Sequence, residues 1–129
     1  MKRMTADEYL SLGNRSKSKY KNITVVMDGY TFASKLEANY YAQLKLRQRS
    51  NDILFFRVHP RYLLQPSFEK DGKKYRKIEY VGDFEIHHTD GSIEVVDTKG
   101  TITAVFRMKE KMFHKKFPHK LTVVKQGDL

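Results

Sequence analysis

Three Asp-Gly pairs, Asp28-Gly29, Asp71-Gly72 and Asp90-Gly91, cut the chain into short β-prone segments. Asp-Gly accommodates the positive φ that tight hairpin turns require, because glycine has no Cβ to clash. The pairs predict a hairpin over residues 25–32 and a three-strand antiparallel meander from about 62 through 96. Two stretches break this β texture. Ser34 with Glu37 three residues on forms a capping box, and Leu36, Tyr40, Tyr41 and Leu44 then recur at helical spacing. Thr103 can cap a second helix with Val105, Met108, Met112, Phe113 and Phe117 on one apolar face and Lys109, Lys115 and Lys116 on the other, stopped by Pro118. A last strand is expected over 120–125. The predicted fold is α/β: a β-hairpin, then α-β-β-β-α-β, forming a mixed sheet with helices packed on it.

The N-terminal residues read differently. After a short helix over 5–12, residues 14–22 carry four cations and no acid or aliphatic side chain. Residues 1–22 are therefore expected to form a flexible basic arm, and 23–129 a single domain. A 40% hydrophobic content over 129 residues suffices for one core and excludes two full-sized domains.

Across the whole chain, 25 Lys plus Arg stand against 15 Asp plus Glu, a formal charge of +10. Such an excess favours a polyanionic partner, since neutralising phosphates releases counterions. The excess is concentrated: residues 15–21 hold four cations and no acid, and 107–120 hold six against Glu110 alone. With no cysteine, disulfide frameworks, thiol nucleophiles and cysteine-based metal sites are excluded. No apolar run approaches membrane-spanning length and the N-terminus lacks the apolar stretch of a secretory signal, so a soluble, cytoplasmic protein is expected.

The chemistry-bearing residues lie in 80–100. Strand alternation puts Ile93, Val95, Asp97 and Lys99 on one face, so an acid and a lysine leave a strand end together. Asp83 is expected inside the preceding strand, where a lone charge is costly unless paired or liganded. Its relation to Asp97 depends on the turn. A two-residue loop, Asp90-Gly91, sets Asp83 opposite Thr98 with Asp97 pointing away. A three-residue loop, Thr89-Asp90-Gly91 with a glycine bulge, sets Asp83 directly opposite Asp97. In that register the carboxylates would repel unless a cation lay between them, which suits Mg²⁺, with the Thr98 carbonyl able to complete the coordination. A metal so held supports phosphodiester hydrolysis, with Lys99 orienting or deprotonating the attacking water.

Asp83 followed by Asp97-Thr98-Lys99, with a Glu37-bearing helix before and an amphipathic helix after, resembles the PD-(D/E)XK nuclease superfamily and its restriction-endonuclease-like core. More narrowly, the segments Phe32-Ala33-Ser34-Lys35-Leu36-Glu37-Ala38, Gln65-Pro66, Tyr80-Val81-Gly82-Asp83-Phe84, Val95-Val96-Asp97-Thr98-Lys99-Gly100 and the Thr103/Phe106/Lys109 pattern are similar to a family of small phage-encoded proteins grouped with such nucleases. The resemblance implies that Asp83 and Asp97 are ligands of Mg²⁺, with Mn²⁺ able to substitute. It also makes Lys99 the catalytic lysine and Glu37 the helix-borne acid. It departs from the pattern at Gly82, where the motif's name has proline, and at Asp97, where glutamate is commoner. What it implies for the protein is a DNA endonuclease leaving 5′-phosphates, working as a homodimer on branched or duplex DNA in the manner of Holliday-junction resolvases, in recombination or genome processing in the host cytoplasm.

Plainer explanations stand beside these. Asp97 and Lys99 could be a surface ion pair, Glu37 only a helix cap, and Glu85 a solvated acid or a further ligand. His87 and His88 point to opposite faces, His114 and His119 are far apart, and no histidine set has zinc geometry. Arg15, Lys17, Lys19, Lys21, Lys35, Arg76 and Lys109 are candidate DNA contacts or solvated charges. The rival function is a non-catalytic nucleic-acid-binding module using the same basic surface. A small RNA-binding protein fits the charge but gives Asp83 and Asp97 no reason to converge.

Overall fold

A computed structural model describes residues 24–125. The basic arm and its Arg15, Lys17, Lys19 and Lys21 lie outside the described residues. Among those described, the order is β1 (Val25–Met27), β2 (Tyr30–Phe32), α1 (Lys35–Arg49), β3 (Ile53–Val58), β4 (Arg61–Gln65), β5 (Phe68–Lys70), β6 (Lys73–Tyr75), β7 (Ile78–Val81), β8 (Phe84–His88), β9 (Ile93–Thr98), α2 (Ala104–Lys116) and β10 (Lys120–Val124). The protein is mixed α+β. No helix in this range is long and apolar enough to cross a membrane.

The chain divides into two compact units, and the boundary after Ala38 falls inside α1. In the first, β1 and β2 form the expected hairpin, with Asp28 at φ 54° and Gly29 at φ 85°. Positive φ at both central residues is the turn geometry whose twist matches flanking strands. The capping box also forms: the Glu37 N–H donates to Ser34 Oγ at 3.1 Å. In return Glu37 Oε1 accepts from the Ala33 N–H at 2.9 Å, one residue earlier than the usual reciprocal bond.

The second unit holds a four-stranded sheet in the order β10-β9-β8-β3. β3, β8 and β9 are antiparallel neighbours, and β10 joins β9 in parallel. The parallel pair follows from α2, since parallel strands need a crossover and a helix supplies it. On one side of the sheet, α1 brings Tyr40 to 5.5 Å from Phe84 and Tyr41 to 5.7 Å from Phe56, ring centre to ring centre. Elsewhere Tyr62, Leu64, Tyr80, Val95, Phe106 and Phe113 form a buried cluster that joins β4, β7 and α2 to the inner strand β9.

Three expectations need correction. The three-strand meander is replaced by separate ladders: β4 pairs with β7, β5 with β6, and β8 with β9. Asp71-Gly72 turns the small β5–β6 hairpin, and β3 supplies the strand missing from the predicted sheet. A bulge between Ile53 and Phe55 breaks β3's alternation, so Leu54 and Phe55 are exposed and the strand lacks a clear period-two signature. Second, Asp83 lies just outside a strand, at the break between β7 and β8. Third, Val105 and Met108 are about three-fifths exposed (60% and 62%), whereas Phe106 and Phe113 are buried. Met112, Phe113 and Phe117 of the expected face do pack on the core, but Phe106 takes the place of Val105 and Met108, because Tyr80 and Val95 receive it there. Thr103 caps the helix by accepting from the Phe106 N–H. Phe117 closes α2 in an extended conformation, before Pro118 as expected.

The β3–β4 and β7–β8 segments are one antiparallel pair interrupted at a single level. Val58 pairs with Phe84 and Arg61 with Val81, in the same register. Between them the His59 N–H donates to the Asp83 carbonyl at 2.8 Å and the Gly82 N–H to the Pro60 carbonyl at 3.0 Å. Pro60 cannot donate to a ladder, and His59 takes a left-handed φ of 54°. The strands therefore break here without losing register, and Asp83 stands at the break.

Candidate functional site

The turn after β8 decides the geometry. The His88 N–H donates to the Ser92 carbonyl at 2.9 Å and the Gly91 N–H to the His88 carbonyl at 3.0 Å, with Gly91 at φ 92°. Asp90 Oδ1 accepts from both the N–H and the hydroxyl of Ser92. This is the three-residue loop, and Phe84 accordingly pairs with Val96 and Glu85 with Val95. Carried one residue further, the register sets Asp83 opposite Asp97.

Asp83 is held through its backbone and its side chain. Its N–H donates to the Val96 carbonyl at 3.0 Å. Its Oδ2 accepts the Thr98 N–H at 2.6 Å and the Thr98 hydroxyl at 2.7 Å. Thr98 thus orients an acid with its N–H and hydroxyl, a role that the expectation about its carbonyl did not include.

Asp97 is only 4% exposed, so a surface ion pair is excluded. Its Oδ2 accepts the Tyr80 hydroxyl at 2.6 Å and lies 3.4 Å from Lys99 Nζ. Burial pushes its pKa up to about 6; the Tyr80 hydrogen bond opposes this, the Asp83 charge adds to it, and Lys99 lowers it. Burial, then the bond to Asp97, raises the Tyr80 phenol. Lys99 is positioned by β10, since its N–H donates to the Val124 carbonyl at 2.9 Å. Its Nζ lies 4.6 Å from the centre of the Phe106 ring of α2, a cation–π distance.

Gly82 is required by packing. A Cβ there would approach Val95 Cγ1 to 2.8 Å, and Val95 is fully buried. The position is therefore closed to any side chain unless Val95 moves.

Glu37, in the first unit, is buried and accepts from the Ala33 N–H in the cap. Lys35 and Arg76 are exposed and Lys109 is half-buried on α2. Lys116 is tied down, donating to the Leu63 carbonyl at 2.9 Å. Glu85, expected as a solvated acid or a further ligand, is buried instead. It accepts from the Tyr62 hydroxyl, lies 2.8 Å from His87 Nε2, and pairs with Arg57 at 3.5 Å. Burial works against its ionisation, but Tyr62, His87 and Arg57 outweigh it and hold its pKa below the usual range. His88 pairs with Glu94 in the same manner at 2.8 Å.

His59 was missed. A ring nitrogen of His59 lies within 4.8 Å of an Asp83 carboxylate oxygen. Its one signal in the sequence is the adjacent Pro60, and no spacing connects either residue to Asp83.

Two carboxylates converge here, one driven toward protonation first by burial and then by its neighbour's charge, and they offer oxygen donors of the kind Mg²⁺ takes.

Fold and site together describe a mixed α+β protein with a buried carboxylate, a second acid and a lysine converging at a strand break. Residues 17–128 match the family described as protein of unknown function DUF1064, and the chain belongs to that family. No curated protein and no solved structure matches it.

Proposed function

We propose that this protein is a metal-dependent DNA endonuclease with a restriction-endonuclease-like core. The observation that carries the reading is the convergence of Asp83, Asp97 and Lys99, with Lys99 Nζ 3.4 Å from Asp97 Oδ2. The order α1, β3, β8, β9, α2 and a strand parallel to β9 supports the reading, with β4–β7 inserted between β3 and β8 in place of the expected meander.

In this reading Asp83 and Asp97 hold Mg²⁺ or Mn²⁺, the Thr98 carbonyl contributes, and Glu37 is the helix-borne acid. Bound there, the cation would lower the pKa of a water and neutralise charge developing on the phosphate. Tyr80 holds Asp97 Oδ2 in one orientation, and Thr98 does the same for Asp83 Oδ2. Lys99, steadied against Phe106, directs a donor at the attacking water or accepts its proton. The excess of cations supports DNA as the substrate. Branched DNA, cut by a homodimer in the host cytoplasm during recombination or genome processing, is the preferred substrate.

The test is cleavage of supercoiled plasmid and of a synthetic four-way junction in Mg²⁺ and in EDTA, with Lys99→Ala and Asp97→Asn alongside. Metal-dependent nicking by the wild type and its loss in both variants is expected. If the wild type binds these DNAs but cuts none of them in Mg²⁺ or Mn²⁺, the protein is a binding module and the nuclease reading fails.

A further inference from the structure

From Pro66 to Lys77 every residue is exposed. Within this stretch β5 and β6 form a hairpin none of whose six strand residues is buried. An isolated two-stranded hairpin is marginal in water, so its composition is informative. Asp71 at φ 52° and Gly72 at φ 78° supply a tight turn. Phe68 pairs with Tyr75 across the strands, their rings stacked at 4.8 Å and 11°, although 45% and 39% exposed. Lys70 pairs with Lys73 on the same face, and Lys73 Nζ lies 5.1 Å from the Tyr75 ring centre.

Like charges directly opposite each other destabilise a hairpin, so the Lys70/Lys73 pair works against folding of this element. Lys74, Arg76 and Lys77 add to the charge, against Glu69 and Asp71. Lys77 is neutralised by Glu79 at 3.3 Å; Glu69 faces Lys74 across the strands, but among the described residues no carboxylate lies within ion-pair distance of Lys70, Lys73, Lys74 or Arg76. One face thus presents two stacked rings and two lysines to solvent.

We infer that this hairpin is a DNA-binding arm that docks its Lys70/Lys73/Phe68/Tyr75 face on duplex DNA beside the cleavage site. The major groove of B-form DNA admits a two-stranded β-ribbon, whereas the deep, narrow major groove of A-form RNA does not. The two lysines meet phosphates, and the ring pair packs on sugars and exposed base surfaces. The arm extends the β4–β7 ladder, whose other end adjoins Gly82-Asp83. Ile78, at its base, is five residues from Asp83, roughly 17 Å of strand, well within the ~34 Å of one turn of DNA. The inference relies on the proposed function only for DNA as the ligand and is independent of whether the strand is cut.

The experiment measures binding of the full chain to a fluorescent duplex, a four-way junction and an RNA duplex in EDTA, over a range of salt. Lys70→Ala/Lys73→Ala should weaken DNA binding about tenfold and reduce the slope of log affinity against log salt by about 2. Phe68→Ala/Tyr75→Ala should weaken it with the slope unchanged. Because Gln65 and Ile78 are already paired, replacing residues 66–77 by Asn-Gly should close β4 and β7 directly and reproduce both losses without lowering the melting temperature. Wild-type affinity and slope in the lysine and deletion variants overturn the inference, as does a wild type that binds only RNA or no nucleic acid. Hairpin-dependent DNA binding by a wild type that never cleaves overturns the nuclease reading and leaves the arm standing.

Discussion

Tyr80 donates its hydroxyl to Asp97 at 2.6 Å, and Tyr62, stacked on Tyr80 with ring centres 6.2 Å apart, donates likewise to Glu85. The facing strands β4 and β7 thus each present a buried phenol to an acid of the sheet. Removing either hydroxyl leaves a buried carboxylate short of a partner. Tyr80→Phe and Tyr62→Phe should each cost about 1–3 kcal/mol in urea unfolding. Only Tyr80→Phe should slow cleavage; equal rates in the two variants would exclude Tyr80 from positioning Asp97.

Asp97 is buried at a cost to its ionised form. Its folded pKa, about 6, lies above the ordinary aspartate value. The folded state therefore binds the proton more tightly than the unfolded state. The Asp97 contribution to stability in EDTA should fall as pH rises from about 4 to 6 and stay low above that. Asp97→Asn removes the charge while leaving Tyr80 an acceptor, so above pH 6 it should melt several degrees higher than wild type in EDTA and lose cleavage. A melting difference between wild type and Asp97→Asn that is the same at pH 5 and 8 would contradict this.

In the proposed nuclease, Lys99 acts on the reaction more than on the fold. Lys99→Ala should reduce the cleavage rate by on the order of 10²–10⁴, the usual contribution of a proton-transferring group, with junction affinity within about twofold of wild type. Single-turnover rates and binding isotherms separate the two, and a proportional loss of affinity would make Lys99 a binding residue.

Gly82→Ala tests the close approach of backbone to Val95. The added Cβ meets a buried β-branched side chain at 2.8 Å, and overpacking of this kind costs about 1–3 kcal/mol. A Gly82→Ala/Val95→Ala double variant should be less destabilised than the two single variants combined, because Val95→Ala removes the clashing methyl.

Glu37 separates capping from chemistry. Glu37→Gln keeps an oxygen for the Ala33 N–H and should melt close to wild type, whereas Ser34→Ala should lose about 1 kcal/mol. If Glu37 is the helix-borne acid, Glu37→Gln abolishes cleavage; full activity in that variant would reduce Glu37 to a cap.

Local chemistry was legible in the sequence. Asp28-Gly29 and the Ser34/Glu37 box act within a few residues, and each formed as its residues require. The Thr103 cap formed too, yet the face it buries was misjudged, because burial of Phe106 rather than Met108 depends on Tyr80 and Val95, residues distant in sequence. The same limit applied to Glu85, whose partners Tyr62 and Arg57 lie on other strands, and to the β5–β6 arm, whose exposure cannot be read from its composition.

Asp97 and Lys99 were determined by sequence, since strand alternation puts them on one side whatever surrounds them. Their partnership with Asp83 depended on the β8–β9 turn, for which the sequence allowed two registers one residue apart. The tertiary structure selected the three-residue loop and broke the β3–β4 and β7–β8 pair at His59-Pro60. A one-residue slip reverses every side chain of a strand. Which acids meet is therefore a property of how strands pair across the sheet, which no spacing within one strand contains.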